Sequence, residues 1–282
     1  MSTMALDRRT LLRAAVGGTV AGAYGMMGSS PALAGGRKPR RTIYVAGDST
    51  AATYATADVP RAGWGQALPA FLRPEIDVVN GALSGASSKS FVDLGRLDLI
   101  LAAIRPGDVL LVSFGHNDEK SDDPARYTEP WSTFQQYLSL YLDGARAKHA
   151  HPVLVTPVER RRFTAAGVPY LSHGEYPDAM RALAKDTGTP LIDLTASSFA
   201  LWGELGPEGT KEYFLWLGPG ESPNYPAGVA DNTHFQAHGA IEVARLVVAE
   251  GCAIPGRDFA ALRDPSIPDD VLVWPATRPA ES

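Results

Sequence analysis

The chain has 282 residues, with 31 acidic against 26 basic side chains and a formal net charge of −5 at neutral pH. That balance argues against nucleic acid or an anionic membrane surface as partner, while the length and a 45% apolar composition suit a single domain with a sizeable core. The one cysteine, Cys252, excludes an intrachain disulfide and is expected to be a buried, small apolar side chain.

At the N-terminus, Arg8-Arg9 begins Arg8-Arg9-Thr10-Leu11-Leu12-Arg13, followed by an apolar, small-residue stretch from Ala14 to Met27 and an Ala32-Leu33-Ala34 cleavage pattern. A charged start, apolar middle and small-residue end predict a secretory signal, and the paired arginines point to twin-arginine export. A retained membrane anchor is the alternative, but the glycine-interrupted stretch falls short of the roughly 20 residues a span needs. Removing residues 1–34 takes Arg8, Arg9 and Arg13 with only Asp7, so the mature chain is more acidic still. The expected organisation is a signal peptide at 1–34, a linker at 35–41, the main domain at 42–253 and a proline-rich extension at 254–282.

Within the domain, strand-like apolar runs recur at 42–46, 76–80, 108–114, 152–156 and 190–194. Helical patterns lie between them, at about 64–72, 93–104, 131–149 and 176–187. This alternation predicts βαβ units and a parallel sheet covered on both faces. After His234 another helix is expected, with Ala240, Ala244, Val247 and Val248 on one stripe. Residues 203–233, rich in glycine, proline and acidic side chains, read as a long loop of functional type. In the extension, Phe259, Leu262, Val271, Leu272, Val273 and Trp274 are expected to strap over the domain.

Candidates for chemistry follow the strand ends. The run Thr42-Ile43-Tyr44-Val45-Ala46 leads into Gly47-Asp48-Ser49-Thr50, which places one hydroxyl at a strand's carboxyl end, where open sheets bind ligands. Serine hydrolysis further needs a base, an orienting carboxylate and oxyanion donors. His234 is the candidate base and Asp231, three residues earlier on the same turn, the candidate carboxylate. Candidate donors are the Ser49 N–H, expected at a helix start, the Gly85 N–H and the Asn117 side-chain amide. Taken singly, each also fits a bland role: an Asx turn, a helix cap, a turn glycine or a self-bonding loop asparagine. Two other classes stay open at this point. His234-x-x-x-His238 with His116, Asp118 and Asp231 has metal-ligand types, and Trp64, Trp202, Trp216 and Tyr225 are candidate sugar-stacking rings of a binding protein.

Together, Gly47-Asp48-Ser49, Gly85, Gly115-His116-Asn117-Asp118 and Asp231-x-x-His234 resemble, in order, the four blocks of the SGNH (GDSL-type) hydrolases. The likeness spans about residues 42–250 and is strongest to the rhamnogalacturonan acetylesterase-like branch, supported by Val78-Val79-Asn80-Gly81-Ala82, the segment Thr156 to Phe163, Leu191-Ile192-Asp193-Leu194 and Asp231-Asn232-Thr233-His234-Phe235. The resemblance implies a flavodoxin-like three-layer α/β/α sandwich with a five-stranded parallel sheet. It also implies a carbohydrate O-acetylesterase that needs no metal or other cofactor. By position, Ser49 is then the nucleophile, Asp231 and His234 complete the triad, and Ser49, Gly85 and Asn117 hold the oxyanion. Where relatives often carry arginine after the second-block glycine this chain has Ala86, so Lys89 is the candidate substrate cation, with Trp64 as candidate sugar platform. The expected partner is an acetylated polysaccharide or oligosaccharide, met by a secreted monomer; a broader lipase, esterase or thioesterase is the alternative.

Overall fold

The structure is a computed structural model that describes residues 41–252 and 267–276. The predicted signal segment, Phe259 and Leu262 lie outside these residues. Eight strands are described: β1 (Arg41–Gly47), β2 (Arg61–Ala62), β3 (Ile76–Asn80), β4 (Val109–Ser113), β5 (His151–Val155), β6 (Leu191–Ile192), β7 (Phe214–Leu217) and β8 (Val229–Gln236). Five of them form a parallel sheet in the order β3-β1-β4-β5-β6, with Ile43 of β1 registered between Val78 and Val109. The chain leaves β1 for β3 on one side and β4 on the other. That reversal opens a crevice at the carboxyl ends of β1 and β4, where ligands of doubly wound sheets bind.

Both faces of the central strands are buried because their side chains have a covering layer on either side to enter, while edge strand β3 keeps Asp77 and Val79 exposed. Ile43, Val45, Val109, Leu111, Val153, Val155 and Ile192 point to one core, while Tyr44, Ala46, Leu110, Val112 and Leu154 point to the other, as the two-residue period of a strand requires. The first face is covered by α1 (Trp64–Ala67), α6 (Leu194–Gly209) and α7 (Ala237–Cys252), through Trp64, Trp202 and the Ala240–Val248 stripe. The second is covered by α2 (Ser88–Asp93), α3 (Arg96–Ala103), α4 (Gln135–Ala147) and α5 (Tyr176–Thr187), through Phe91, Ile100, Tyr141 and Met180. This is the three-layer α/β architecture predicted from the sequence.

Several predicted elements differ from expectation. The helix expected at 64–72 tightens to a 3-10 turn at Leu68–Phe71, where Pro69 lacks an amide to continue the α ladder. The one expected at 93–104 is α3, which starts only after Gly95 (φ 69°), and the unpredicted α2 precedes it at Ser88–Asp93. The expected loop at 203–233 is largely structured instead. α6 runs on to Gly209, broken only at Gly206 (φ 67°), and β7 and β8 follow. Strands β2-β8-β7 make a small antiparallel sheet, and its Phe214 and Phe235 stack against Trp202 of α6. Gly/Pro-rich flanks hid the short apolar run of β7 from the sequence reading.

Of the expected strap, Leu272 and Trp274 pack on the domain within 267–276, while Val271 and Val273 are exposed. Leu272 enters the core, Trp274 Nε1 donates to the Arg61 carbonyl at 2.9 Å, and Gln66 Nε2 donates to the Val273 carbonyl at 2.8 Å. Cys252 is exposed, contrary to expectation, because α7 ends there, one residue past its last buried position.

The start of α7 rests directly on the backbone before β7. A Cβ at Gly239 would lie 2.0 Å from the Tyr213 carbonyl oxygen, and backbone cannot rotate away. Gly239→Ala should therefore destabilise the fold by about 1–3 kcal/mol or more. A denaturant midpoint equal to that of the unaltered protein would refute this packing.

Candidate active site

Ser49 sits in a turn directly after β1 and is largely buried. Asp48 shapes that turn: its Oδ1 accepts from the Thr50 N–H at 2.9 Å and the Thr50 hydroxyl at 2.8 Å, an Asx-type closure. Its Oδ2 faces His116 Nδ1 at 3.1 Å, so the first and third sequence blocks are joined by one buried carboxylate. Burial alone would raise the Asp48 pKa, but the His116 ring and the Thr50 donors hold it down to about 2. Burial pushes His116 down to about 4 against the pull of Asp48, so at neutral pH a neutral imidazole donates Nδ1–H to a charged carboxylate. From the other side, Tyr54 donates its hydroxyl to the Ser49 carbonyl at 2.7 Å.

No helix begins at Ser49. The chain continues as turn and irregular backbone before a short 3-10 segment at Thr56–Asp58. The helix dipole invoked from the sequence is therefore absent there, and any polarising donors are individual N–H groups. Among the described residues, neither the Ser49 nor the Gly85 N–H is engaged by a backbone acceptor. Gly85 has φ of 82° with open space where a Cβ would stand, so it is the conformation rather than crowding that requires glycine. Asn117 Nδ2 donates to the Ala86 carbonyl at 2.9 Å, tying its amide to the residue after Gly85 and leaving its second amide hydrogen. Asn80 joins the same loops, donating to the Ala51 carbonyl and Thr53 Oγ1 while accepting from the Ala82 N–H.

Asp231 and His234 lie on strand β8, not on a turn before a helix. Residues three apart on a regular strand point to opposite faces. Here Trp216 opposes Ala230 and Phe214 opposes Phe235, so Leu215 alone faces the four residues Asp231, Asn232, Thr233 and His234. This long bulge lets the Asp231 carboxylate curl back. Its Oδ1 accepts from the Thr233 and His234 N–H groups at 2.7 and 3.0 Å, and its Oδ2 from His234 Nδ1 at 2.7 Å. Partial burial would raise the Asp231 pKa, but the His234 ring and these backbone donors bring it to about 2. With Nδ1–H committed to Asp231, Nε2 of His234 is the acceptor, and it stands 3.0 Å from Ser49 Oγ. The bulge is clamped from outside: Arg161 N–H donates to the Asn232 carbonyl at 2.9 Å, and Arg161 Nη1 and Trp216 Nε1 both donate to Asn232 Oδ1 at 3.1 Å. Arg161 also stacks on the Trp216 ring at 4.4 Å.

Other candidates fall elsewhere. Trp64 is fully buried in the first core, which corrects its reading as a sugar platform: no face of the ring is open to a ligand. Lys89 has its ammonium on the Pro124 carbonyl at 2.7 Å. His238 turns to Asp269 (3.4 Å) and the Tyr213 ring rather than towards His234's partners. Among the described residues no three His, Cys, Asp or Glu side chains are grouped as metal ligands. His116 pairs with Asp48 of the serine turn instead.

Asp118 has the most perturbed carboxyl of the site. Fully enclosed, it accepts from the N–H and hydroxyl of Ser88 at the start of α2 and from Thr128 Oγ1, while its carbonyl accepts from Tyr176. Burial outweighs these donors and raises its pKa to about 7. The folded protein thus binds a proton that the unfolded chain, with an ordinary carboxyl, releases near pH 4. That contribution to stability is present at low pH and is lost as pH rises from about 4 through 7. Relative to Asp118→Asn, the unaltered protein should gain stability as pH falls across that window. A pH-independent difference in denaturant midpoints would contradict the raised value.

The chain matches the GDSL-like Lipase/Acylhydrolase family over residues 45–240. It is 48% identical over 225 residues to the rhamnogalacturonan acetylesterase RhgT of Bacillus subtilis, covering 79% of this chain and 95% of that protein. It is 44% identical over 205 residues to the probable rhamnogalacturonan acetylesterase YesY of the same organism, covering 73% and 89%. Among solved structures, protein YxiM of Bacillus subtilis superposes with a TM-score of 0.65 at 32% identity, over 77% of this chain but 58% of that one. The chain belongs to the GDSL-like lipase/acylhydrolase family and is a carboxylic ester hydrolase.

Proposed function

We propose that this protein removes O-acetyl groups from a pectin-like polysaccharide through an acetyl-serine intermediate, and that it does so outside the cell after twin-arginine export. One observation carries the chemistry: the Ser49–His234–Asp231 chain of contacts at 3.0 and 2.7 Å. The substrate class is supported by the rhamnogalacturonan acetylesterases it resembles over most of its length.

In the first half-reaction, the Ser49 proton passes to His234 Nε2 as Oγ bonds to the acetyl carbonyl carbon. The resulting oxyanion is taken by the Ser49 and Gly85 N–H groups and the Asn117 amide. The carbon–oxygen bond to the sugar then breaks, and His234 returns the proton to the departing sugar hydroxyl. In the second half, His234 takes a proton from water, whose oxygen attacks the acetyl-serine. Breaking the bond to Oγ releases acetate and restores the Ser49 hydroxyl. Asp231 keeps the imidazole in the required tautomer and offsets its transient charge.

Acetate release from acetylated rhamnogalacturonan, compared with acetylated xylan and p-nitrophenyl acetate, tests this reading. Ser49→Ala should lose at least about 10³-fold in kcat, and Asn117→Ala about 10²–10³-fold. Full activity in Ser49→Ala would sink the assignment. Asp231 stays charged to about pH 2, so loss of its charge should contribute no limb to the kcat profile at mildly acidic pH. Arg161→Met should lower kcat, on the order of tenfold, with KM little changed, because it loosens the bulge without touching the reacting atoms. A pure KM effect would assign Arg161 to substrate binding instead.

A further inference from the structure

A cleft of about 640 Å³ opens between the loops that leave the carboxyl ends of β4 and β5, well within the roughly 300–1,000 Å³ of ligand sites. This is the sheet edge that carries Ser49 and Asn117, and the lining begins with Glu119, two residues past Asn117. Arg160 links cleft to site: its guanidinium reaches the His116 carbonyl at 3.4 Å and pairs with Glu119, which answers its charge. Lys120 and Arg162 are different. Both line the cleft, and neither forms an ion pair or side-chain hydrogen bond among the described residues. Asp122 is the remaining acid in the lining. Tyr170, 46% exposed, stands in the same wall on a hairpin closed by the Phe163–Pro169 bridge.

Two uncommitted cations and an open aromatic ring, in a protein of net charge −5, form a site for something both anionic and ring-shaped. A guanidinium fork and an ammonium suit a carboxylate, and an exposed tyrosine presents an apolar face with a polar edge, as a pyranose needs. We propose that this cleft is a subsite for a uronate residue of the polysaccharide, its carboxylate held by Lys120 and Arg162 and its ring supported by Tyr170. The cleft would then hold an acidic stretch of the polymer while a neighbouring acetylated sugar lies at Ser49. The subsite rests on the acetylesterase reading above and supplies a cation where Ala86 provides none.

The test compares acetate release from an acetylated uronate-containing polysaccharide and from the same polymer with its carboxyls reduced to alcohols. In Lys120→Ala/Arg162→Ala, the preference in kcat/KM for the acidic form should fall about tenfold. The preference of the unaltered protein should itself shrink as salt is raised. A preference equal to that of the unaltered protein, or an equal loss on both polymers, would overturn the subsite. A second arm does not depend on turnover. Polygalacturonate in a native gel should retard the Ser49→Ala protein and fail to retard the same protein carrying the two further substitutions. Equal retardation overturns the subsite. If the unaltered protein releases no acetate while the gel shift holds, the acetylesterase reading fails and the uronate subsite stands.

Discussion

Strand β8 must leave its ladder for four residues, and the site depends on that departure. A flat strand would send Asp231 and His234 to opposite faces. The bulge instead lets one carboxylate bond two backbone amides and the imidazole of its own segment. Such a concentration of local hydrogen bonds on one charge makes a rigid unit of four residues. Arg161 and Trp216 then fix that unit to the rest of the fold through the side chain of Asn232.

Around it, buried polar groups replace what apolar packing cannot do, which is to fix loops in register. Asp48 ties the serine turn to His116, Asn80 ties it to the strand-β3 loop, and Asp118 ties the Asn117 loop to α2. Each bond pairs a group that would be costly to bury alone. Satisfied networks of this kind hold several loops within a few tenths of an ångström, as a preorganised site requires. The same density explains why burial raises the Asp118 carboxyl to about 7 while Asp48, facing an imidazole, is held near 2.

Much of this was legible in the sequence where the signal is local. Two-residue alternation cannot be read in β1, β4 and β5, whose central residues are apolar in unbroken runs, yet their length and the helices between them sufficed for a parallel sheet. The residues Ser49, Asp231 and His234, which the structure brings together, stood out because their types and order are unusual in company. What stayed hidden was non-local. Nothing in a run of Gly, Pro and acidic residues announces β7, whose four residues are stable only by pairing with β8. Trp64 looked like a surface ring because aromatic side chains carry no mark of which side they face. Arg161 gains its partners from a segment 71 residues away, and no spacing rule reaches that far.

The Ser49–His234 contact spans 185 residues and joins the end of a parallel strand to a small antiparallel sheet that is completed late in the chain. Long-range closures of this kind form slowly and last. A serine alone on its turn is an ordinary alcohol, so in the proposed mechanism Ser49 becomes reactive only when the segments carrying it and His234 have been brought together. On the proposed mechanism, hydrolytic competence is thereby a report on completed folding, and a half-folded copy carries Ser49 with nothing to activate it.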